Sequence, residues 1–369
     1  KSLNLRVFFK DFYFVLLIFI ISKFLVLFAW IISRLLSGRF NPPNGERLER
    51  GLMAWDGDWY ASLVVNGYDN VLLEGVRFFP GYVLLGRFID LFLPGGPDVA
   101  LIFLSNISSL FALLFMRYLL LLETGNEELA KKSTWLFAVF PSAFVMTWAY
   151  SESLFLSLTI STFIFLRKEN WMGAGICAFS AALVRPIGIL IAIPAFCAVV
   201  VGLREKTKRE IFWRVLAVAA APLGSSVFIL WASIHFEKNF IPLEIQKEFR
   251  GDFIDPFSRL LIGIGRLFNN QSWTETLHII SAVILIFLIV RLFLEWPLRY
   301  GLFTSACFLV SMGSENINSL ERYALSGFPI IFALLSLNKF PVLKYVIPLF
   351  SAFGLVGLCT LSWLGLYVP

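Results

Sequence analysis

Long apolar runs separated by short polar segments alternate along nearly the whole chain. A helix needs roughly 20 apolar residues to cross the hydrocarbon core of a bilayer. By this measure the pattern predicts about eleven membrane spans, and it allows the shorter ones to be broken or tilted helices: 12–36, 98–122, 133–150, 151–166, 171–184, 187–203, 211–234, 277–294, 299–313, 323–337 and 342–366. The chain is therefore predicted to be an all-α polytopic membrane protein that forms one domain over residues 1–369.

The basic residues predict the orientation of these spans. Every second polar segment carries at least two Lys or Arg, and the richest lies at 204–209. Because basic loops stay on the cytoplasmic side, we expect a cytoplasmic N-terminus and two long external loops, at 37–97 and 235–276. The membrane is the plasma membrane if the source is prokaryotic and the endoplasmic reticulum if it is eukaryotic.

One apolar run, 78–93, does not fit this scheme as a span. It is short, contains Arg87 and Asp90, and is bounded by Pro80 and Pro94. Counting it as a span would place the basic loops on alternating sides of the membrane. We therefore predict a re-entrant or surface helix within the first external loop.

Composition supports the membrane assignment and excludes some alternatives. Of the 369 residues, 58% are hydrophobic and 15% are charged, whereas a soluble domain averages about 25% charged residues. The net charge of +6 resides in short loops, where it orients the protein, so nucleic acid is not an expected partner. The four cysteines lie in apolar segments, which favours packing over disulfides or metal binding.

Two carboxylates lie in the first predicted external loop, in the sequence Trp55-Asp56-Gly57-Asp58. Acids beside a bilayer are costly and are often functional. These acids allow three interpretations. One of them acts as a catalytic base, both bind Mg²⁺ or Mn²⁺ through their oxygens, or both are ordinary residues of a solvated loop.

Further polar residues lie at predicted external span ends. Glu152 starts a helix or belongs to a site, and Arg185 and Arg322 either reach the membrane interface or bind a phosphate. Lys247 and Arg250 lie in the second external loop. The two histidines, His235 and His278, are expected to be interfacial or packed, which argues against a His-based catalytic triad.

These motifs, taken in order over residues 55–330, resemble the PIG-V-like mannosyltransferases, relatives of GPI mannosyltransferase II within the GT-C superfamily. The motifs are Trp55-Asp56, Asn66-Gly67-Tyr68, Phe78-Phe79-Pro80, Tyr150-Ser151-Glu152-Ser153, Arg185-Pro186 and Glu321-Arg322-Tyr323. The resemblance implies a GT-C-like helical bundle whose large first external loop carries an essential acid and surface helices. It also implies an inverting transfer of a sugar, mannose above all, from a polyprenyl-phosphate donor at the external face.

The resemblance and the chemistry of the transfer together assign expected roles. The catalytic base is Asp56, with Asp58 as the second choice, and the candidate ligands of the donor phosphate are Arg185, Arg322, Lys247 and Arg250. The candidate substrate-binding residues are Trp55, Tyr68, Glu152, Glu321 and Tyr323. The expected partners are the polyprenyl-phosphate sugar, a lipid or glycan acceptor, and membrane lipids, and no metal or other cofactor is expected.

Two other functions stay open at this point. A lipid-diphosphate-linked glycan ligase of the same shape needs more cations near its carrier. A lipid or sugar transporter needs charged residues in the middle of its spans, whereas here the acids and arginines cluster at span ends.

Overall fold

The computed structural model describes residues 5–40, 46–200, 207–267 and 272–369, and within these ranges the chain folds into seventeen α-helices without a β-strand. In chain order the helices are α1 Leu5–Phe40, α2 Glu46–Arg50, α3 Asp56–Asn66, α4 Pro80–Asp90, α5 Gly96–Thr124, α6 Glu127–Ala138, α7 Glu152–Arg167, α8 Trp171–Val184, α9 Ala192–Val200, α10 Lys208–His235, α11 Ile241–Arg250, α12 Pro256–Arg266, α13 Trp273–Glu295, α14 Leu298–Met312, α15 Leu320–Ser326, α16 Ile330–Ser336 and α17 Leu343–Trp363. Parts of both predicted external loops and of the basic segment 204–209 lie outside the described residues.

Five of the described helices have the length and apolar character that a bilayer span requires: α1, α5, α10, α13 and α17. A sixth candidate is the pair of α15 and α16, which is bent by 87° at a short break. The chain is thus an integral membrane protein with an all-helical fold, as predicted. Most of the predicted spans that have fewer than roughly 20 residues correspond to short or broken helices in the structure.

The segment 133–150 is the clearest departure from the predicted spans. α6 ends at Ala138, and the chain then turns through Pro141 into a 3₁₀ helix at Ala143–Met146. Proline cannot donate a helical hydrogen bond, so a continuous helix is not favoured at this point. The same reason accounts for the 3₁₀ segment Pro186–Ile191 that precedes α9.

The predicted surface helix in the first loop is α4. With 11 residues it is about 16 Å long, which is too short to cross a bilayer. It buries Tyr82 and Val83 while Leu84 and Phe88 are exposed. This arrangement rules out a span and is typical of a helix that lies along a membrane surface.

Two hydrogen bonds attach the first loop to the end of α17, and a hydrophobic cluster joins the second loop to the first. Trp363, the last residue of α17, donates to the carbonyl of Gly51 at 2.9 Å, and Trp55 donates to the carbonyl of Ser362 at 3.1 Å. In the second loop, Ile245 of α11 buries its side chain in a cluster with Val76 of the first loop. The two loops therefore pack against each other over one end of the bundle.

Candidate active site

Four charged side chains from distant parts of the chain meet in one group, which we call the Asp56 cluster: Asp56, Glu152, Arg185 and Arg322. Arg322 Nη1 contacts Asp56 Oδ2 at 2.7 Å, and Arg322 Nε lies 3.3 Å from Glu152 Oε1. Arg185 forms an ion pair with the same oxygen of Glu152. The acids and the arginines thus alternate. The structure brings together four residues that were predicted from separate parts of the sequence.

The four members of the cluster are buried to different degrees. Glu152 is 1% exposed, and Arg185 and Arg322 are each 8% exposed. Buried charges of this kind are tolerated only when they are paired, because an isolated ion loses its hydration. The side chain of Asp56 is 23% exposed, so it is the member of the cluster that a ligand reaches most easily.

Glu152 is incompletely paired. Both arginines contact its Oε1, whereas its Oε2 is buried and has no hydrogen-bond partner among the residues that the structure describes. A buried polar atom normally finds a partner in the protein, in water or in a ligand. Glu152 Oε2 is therefore suited to accept a hydrogen bond from a hydroxyl group.

Strained turns position two members of the cluster. Trp55, immediately before Asp56, has φ of 65°, and Ser319, which precedes α15, has φ of 67°. Non-glycine residues adopt positive φ at a cost, and such strain often occurs at functional sites. Each turn starts the short helix that carries Asp56 or Arg322.

Tyrosine and serine hydroxyls surround the cluster. The Tyr60 hydroxyl donates to Ser151 Oγ at 2.8 Å, and Arg185 Nη1 donates to the same oxygen at 3.3 Å. The backbone N–H of Asp56 points to the hydroxyl of Tyr150 at 3.4 Å. Arg185 and Arg322 each lie 5.7 Å from the ring centroid of Tyr323.

The electrostatics of Asp56 favour its charged form. Burial acts to raise the pKa of its carboxyl, but the nearby cations Arg322, Arg77 and Arg185 outweigh burial and lower the pKa below its ordinary value. Its position in the first turn of α3 also favours a negative charge. Asp56 is therefore ionised at neutral pH and able to accept a proton.

Two further arginines give the region a positive excess. Arg250 lies 4.3 Å from the ring centroid of Tyr323, and Arg77 stacks on Phe249 at 3.9 Å from its centroid. The four members of the cluster are neutral as a set, so these two arginines supply net positive charge. Arg77 was not predicted as a site residue, since nothing in its local sequence distinguishes it from a solvated loop residue.

Other predicted site residues lie elsewhere. Asp58 pairs with Arg50, and its side chain is 45% exposed. Lys247 is exposed and pairs with Asp252 at 2.7 Å. The hydroxyl of Tyr68 donates to the carbonyl of Phe78 at 2.7 Å, so it fastens the first loop.

Glu321 belongs to a separate buried group. Its carboxylate lies 3.0 Å from His278 Nδ1 and accepts a hydrogen bond from the Tyr367 hydroxyl at 2.8 Å. The prediction that His278 is packed fits its 2% exposure. The sequence did not predict the contact with Glu321, since the two residues are 43 positions apart.

A divalent metal finds no ready ligand set at Asp56 and Asp58. The two carboxylates pair with different arginines, Arg322 and Arg50. Within the described part of the chain, no group of three or more His, Cys, Asp or Glu side chains is placed to hold a metal ion. The absence of a cofactor stays a prediction.

No protein-family model and no curated protein matches the chain. The crystal structure of the Archaeoglobus fulgidus oligosaccharyltransferase in the apo form is similar over 93% of this chain and 55% of that chain, with 13% identity and a TM-score of 0.42. A second crystal structure, of this oligosaccharyltransferase tethered to an acceptor peptide containing the NVT sequon, is similar over 94% of this chain and 56% of that one, with 14% identity and a TM-score of 0.42.

This chain thus spans little more than half the length of the two oligosaccharyltransferase chains.

Proposed function

We propose that the protein is an inverting GT-C glycosyltransferase that moves a sugar, mannose above all, from a polyprenyl-phosphate donor to a hydroxyl of a lipid-linked or glycan acceptor. The observation that carries this proposal is the bridge that Arg322 makes between Asp56 and Glu152. Through this bridge, a partly exposed base and buried cations lie together at one end of the membrane-spanning bundle. These are the groups that glycosyl transfer from a lipid phosphate requires.

Asp56 is the base in this mechanism. The acceptor hydroxyl attacks the anomeric carbon, its proton passes to the Asp56 carboxylate, and the bond from that carbon to the phosphate oxygen breaks. A single positioned base contributes roughly 10²–10⁴-fold to the rate. Attack opposite the leaving group inverts the anomeric centre in one displacement.

Arg322 and Arg185 stabilise the leaving phosphate, on which negative charge grows as the glycosidic bond breaks. Without ligand, Arg322 is paired with Asp56. A donor phosphate that binds Arg322 therefore competes with the Asp56 carboxylate and releases it. Release from the guanidinium makes the carboxylate a stronger base at the moment when a substrate is present.

Glu152 is placed to bind the sugar. Its Oε2 lacks a partner among the described residues, and a sugar hydroxyl supplies the missing hydrogen bond. Arg185 and Arg322 contact the carboxylate through its other oxygen and so hold it in place.

An apolar cavity of about 440 Å³ fits the lipid part of the donor. Its walls include Val26 and Trp30 of α1, Trp363 of α17, and Leu52 in the segment just before Asp56. A polyprenyl chain that leaves the cluster along this cavity remains in contact with apolar side chains and avoids water.

The test is sugar transfer by the purified protein, supplied with labelled polyprenyl-phosphate mannose, glucose, galactose or arabinose and a membrane lipid extract. We expect the label of one donor to move to a new product. Asp56→Asn should lower the transfer rate by roughly 10²–10⁴-fold. It should bind polyprenyl phosphate at least as tightly as the unaltered protein, since the carboxylate that competes for Arg322 is gone. If a folded protein turns over none of these donors, the proposal fails in favour of a diphosphate-carrier ligase or a transporter.

A further inference from the structure

A cavity of about 260 Å³ lies at the end of the bundle opposite to the Asp56 cluster. It is formed where α1, α6 and α17 meet, and Lys344 and Pro348 line it from the first turns of α17. Trp363, which is bonded to the first loop at the other end of α17, lies 19 residues after Lys344, or about 28 Å along the helix. This distance is close to the thickness of a bilayer's hydrocarbon core, so the cavity and the cluster lie at opposite faces of the membrane.

Three lysines line this cavity, and no acid among the described residues does so. The lysines are Lys131 and Lys132 of α6 and Lys344 of α17. Lys132 forms an ion pair with the exposed Glu128 of the same helix, whereas Lys131 and Lys344 form no ion pair with any carboxylate in the described part of the chain. The cavity therefore carries positive charge that the surrounding protein only partly neutralises.

The rest of the lining is mainly apolar. Phe14 and Ile18 contribute to it from α1, and Trp135 and Leu136 contribute from α6. Lys131 Nζ lies 5.8 Å from the ring centroid of Phe14, so the charged and the apolar parts adjoin. A ligand that fits both parts has an anionic group with a hydrocarbon chain attached to it.

Asn338 provides a second, independent indication of a ligand. Its side chain lines the cavity, and its Nδ2 is buried without a hydrogen-bond partner among the residues that the structure describes. A buried donor normally finds a partner in the protein, in water or in a ligand. An oxygen atom of a phosphate group is a suitable acceptor for this N–H group, and it also brings negative charge to the lysines.

Two exposed tyrosines indicate the depth of the cavity in the membrane. Tyr345 follows Lys344, Tyr13 precedes Phe14, and both tyrosine side chains are exposed. Tyrosine is enriched where the bilayer meets water, which is also the level of the lipid head groups. The cavity is therefore placed to receive a head group from the surrounding bilayer.

We propose that this cavity binds an anionic phospholipid of the leaflet opposite to the candidate active site, the leaflet that the basic loops predict to be cytoplasmic. Lys131, Lys132 and Lys344 bind its phosphate, Asn338 donates to a phosphate oxygen, and the start of an acyl chain covers the apolar lining. Basic pockets between membrane helices are known to bind lipids of this kind.

Other ligands fit the cavity less well. A soluble phosphate ester leaves the apolar lining in contact with water, and a zwitterionic phospholipid brings a further cation towards three lysines. The inference is independent of the proposed function, because no member of the Asp56 cluster takes part in this site.

The test compares three probes on the purified protein in a non-ionic detergent. Dioctanoyl-phosphatidylglycerol is the anionic lipid, dioctanoyl-phosphatidylcholine is its zwitterionic match, and glycerophosphoglycerol is the anionic head group without acyl chains. Bound probe is counted by native mass spectrometry over a series of concentrations. We expect the anionic lipid to bind at least about fivefold more tightly than the zwitterionic lipid and at least about tenfold more tightly than glycerophosphoglycerol.

Lysine variants locate the bound lipid. Lys344→Gln and Lys131→Gln should each weaken binding of the anionic lipid by about fivefold and leave the zwitterionic lipid within about twofold. Lys339→Gln is the matched control, since Lys339 lies five residues before Lys344 but pairs with Glu295 and does not line the cavity. This control should change the binding of either lipid by less than about twofold.

A further variant predicts a gain. Glu128→Gln removes the carboxylate that pairs with Lys132. Lys132, and to a smaller extent Lys344, lower the pKa of the Glu128 carboxyl, so this acid competes with a ligand for two lysines of the cavity. The anionic lipid should therefore bind more tightly by about twofold or more. Unchanged or weaker binding contradicts the inference, and this variant decides the matter if the lysine variants do not fold.

Three results would overturn the inference. Equal binding of the two lipids means that the lysines do not select an anion. If glycerophosphoglycerol binds as tightly as the anionic lipid, the cavity is a site for a soluble phosphate ester and not for a lipid. If Lys344→Gln and Lys131→Gln weaken the anionic lipid no more than Lys339→Gln does, the lipid binds elsewhere on the protein.

Discussion

Two buried groups of charged side chains lie at different levels of α5, and they are built differently. The Asp56 cluster lies near Ser105, whose hydroxyl donates to the carbonyl of Tyr150 at 2.9 Å. Eighteen residues further along α5, or about 27 Å, lies the Glu123 cluster, formed by Glu123, Arg167, Arg299 and Tyr300. Both groups hold a carboxylate between two arginines.

The difference lies in how completely each acid is satisfied. Glu123 Oε1 contacts Arg299 at 2.5 Å, Tyr300 at 2.9 Å and Arg167 at 3.3 Å, and these partners belong to regular helices. In the Asp56 cluster, Glu152 has a buried oxygen without a described partner, and strained turns precede two members. Burial of charge is thus shared by both groups, and each contains a buried guanidinium Nε without a described hydrogen bond, in Arg322 and in Arg299. Among the described residues, a buried acid oxygen without a hydrogen-bond partner is found in the candidate site alone.

The largest effect is expected from Asp56→Asn. If Asp56 is the base, the variant loses roughly 10²–10⁴-fold in transfer rate. Its melting temperature in detergent should fall less than that of Glu123→Gln, because Arg322 keeps its contact with Glu152. Activity with the donor identified in the transfer assay is the measurement.

Asp58→Asn is the matched comparison, since it makes the same change two residues away in the same helix. Asp58 pairs with Arg50 near the surface, so this variant should keep activity within about twofold. Full activity in Asp56→Asn, or loss only in Asp58→Asn, would mean that the wrong carboxylate has been chosen.

Glu123→Gln should affect stability instead of chemistry. The Glu123 side chain is 7% exposed, and removing its charge leaves Arg299 without its carboxylate. Breaking a buried pair costs about 3–5 kcal/mol in unfolding free energy, so the midpoint of denaturation in detergent should fall clearly. Activity per folded molecule should be unchanged.

Glu128→Gln is the control for this prediction, because Glu128 forms an exposed pair with Lys132 and its loss should not move the midpoint. If Glu123→Gln lowers the activity of folded protein as strongly as Asp56→Asn does, then Glu123 has a role in the reaction. The distinction between a structural Glu123 cluster and a catalytic Asp56 cluster would then be wrong.

Much of the fold follows from the sequence, because membrane spans depend mainly on length and apolar character. The five longest helices match five predicted spans. Helix ends inside apolar segments were harder to predict. α6 ends at Ala138 and α15 bends away from α16. Each break contains a proline, Pro141 or Pro329, but the apolar sequence around it does not reveal how far the chain turns.

The candidate site was predictable as a set of residues but not as a geometry. Glu152, Arg185 and Arg322 were identifiable from their positions at predicted span ends, and Asp56 was identifiable from its place in the first external loop. The choice between Asp56 and Asp58 depends on the start of α3, since positions two apart on a helix point about 200° apart. The pairing of His278 with Glu321 depends on how α13 and α15 pack, which no local pattern reveals.

The smallest effect is expected from Arg77→Gln, which tests whether a distant cation tunes the base. Arg77 helps to lower the pKa of Asp56, so its removal should raise that pKa. Activity is present above the pKa of the base and is lost as the pH falls through it. The acid limb of kcat/KM should therefore move to higher pH, by less than about one unit, with little change at the optimum.

Arg77→Lys separates charge from packing in this prediction. Arg77 also stacks on Phe249, at 3.9 Å from the ring centroid, so its loss disturbs a contact between the two loops. Lysine keeps the positive charge but lacks the flat guanidinium that stacks well on an aromatic ring. If charge is the cause, Arg77→Lys restores the acid limb, whereas an equal shift in both variants assigns the effect to packing. In that case the low pKa of Asp56 is due to Arg322 and Arg185. The comparison between the Asp56 cluster and the Glu123 cluster then depends on those two cations and not on Arg77.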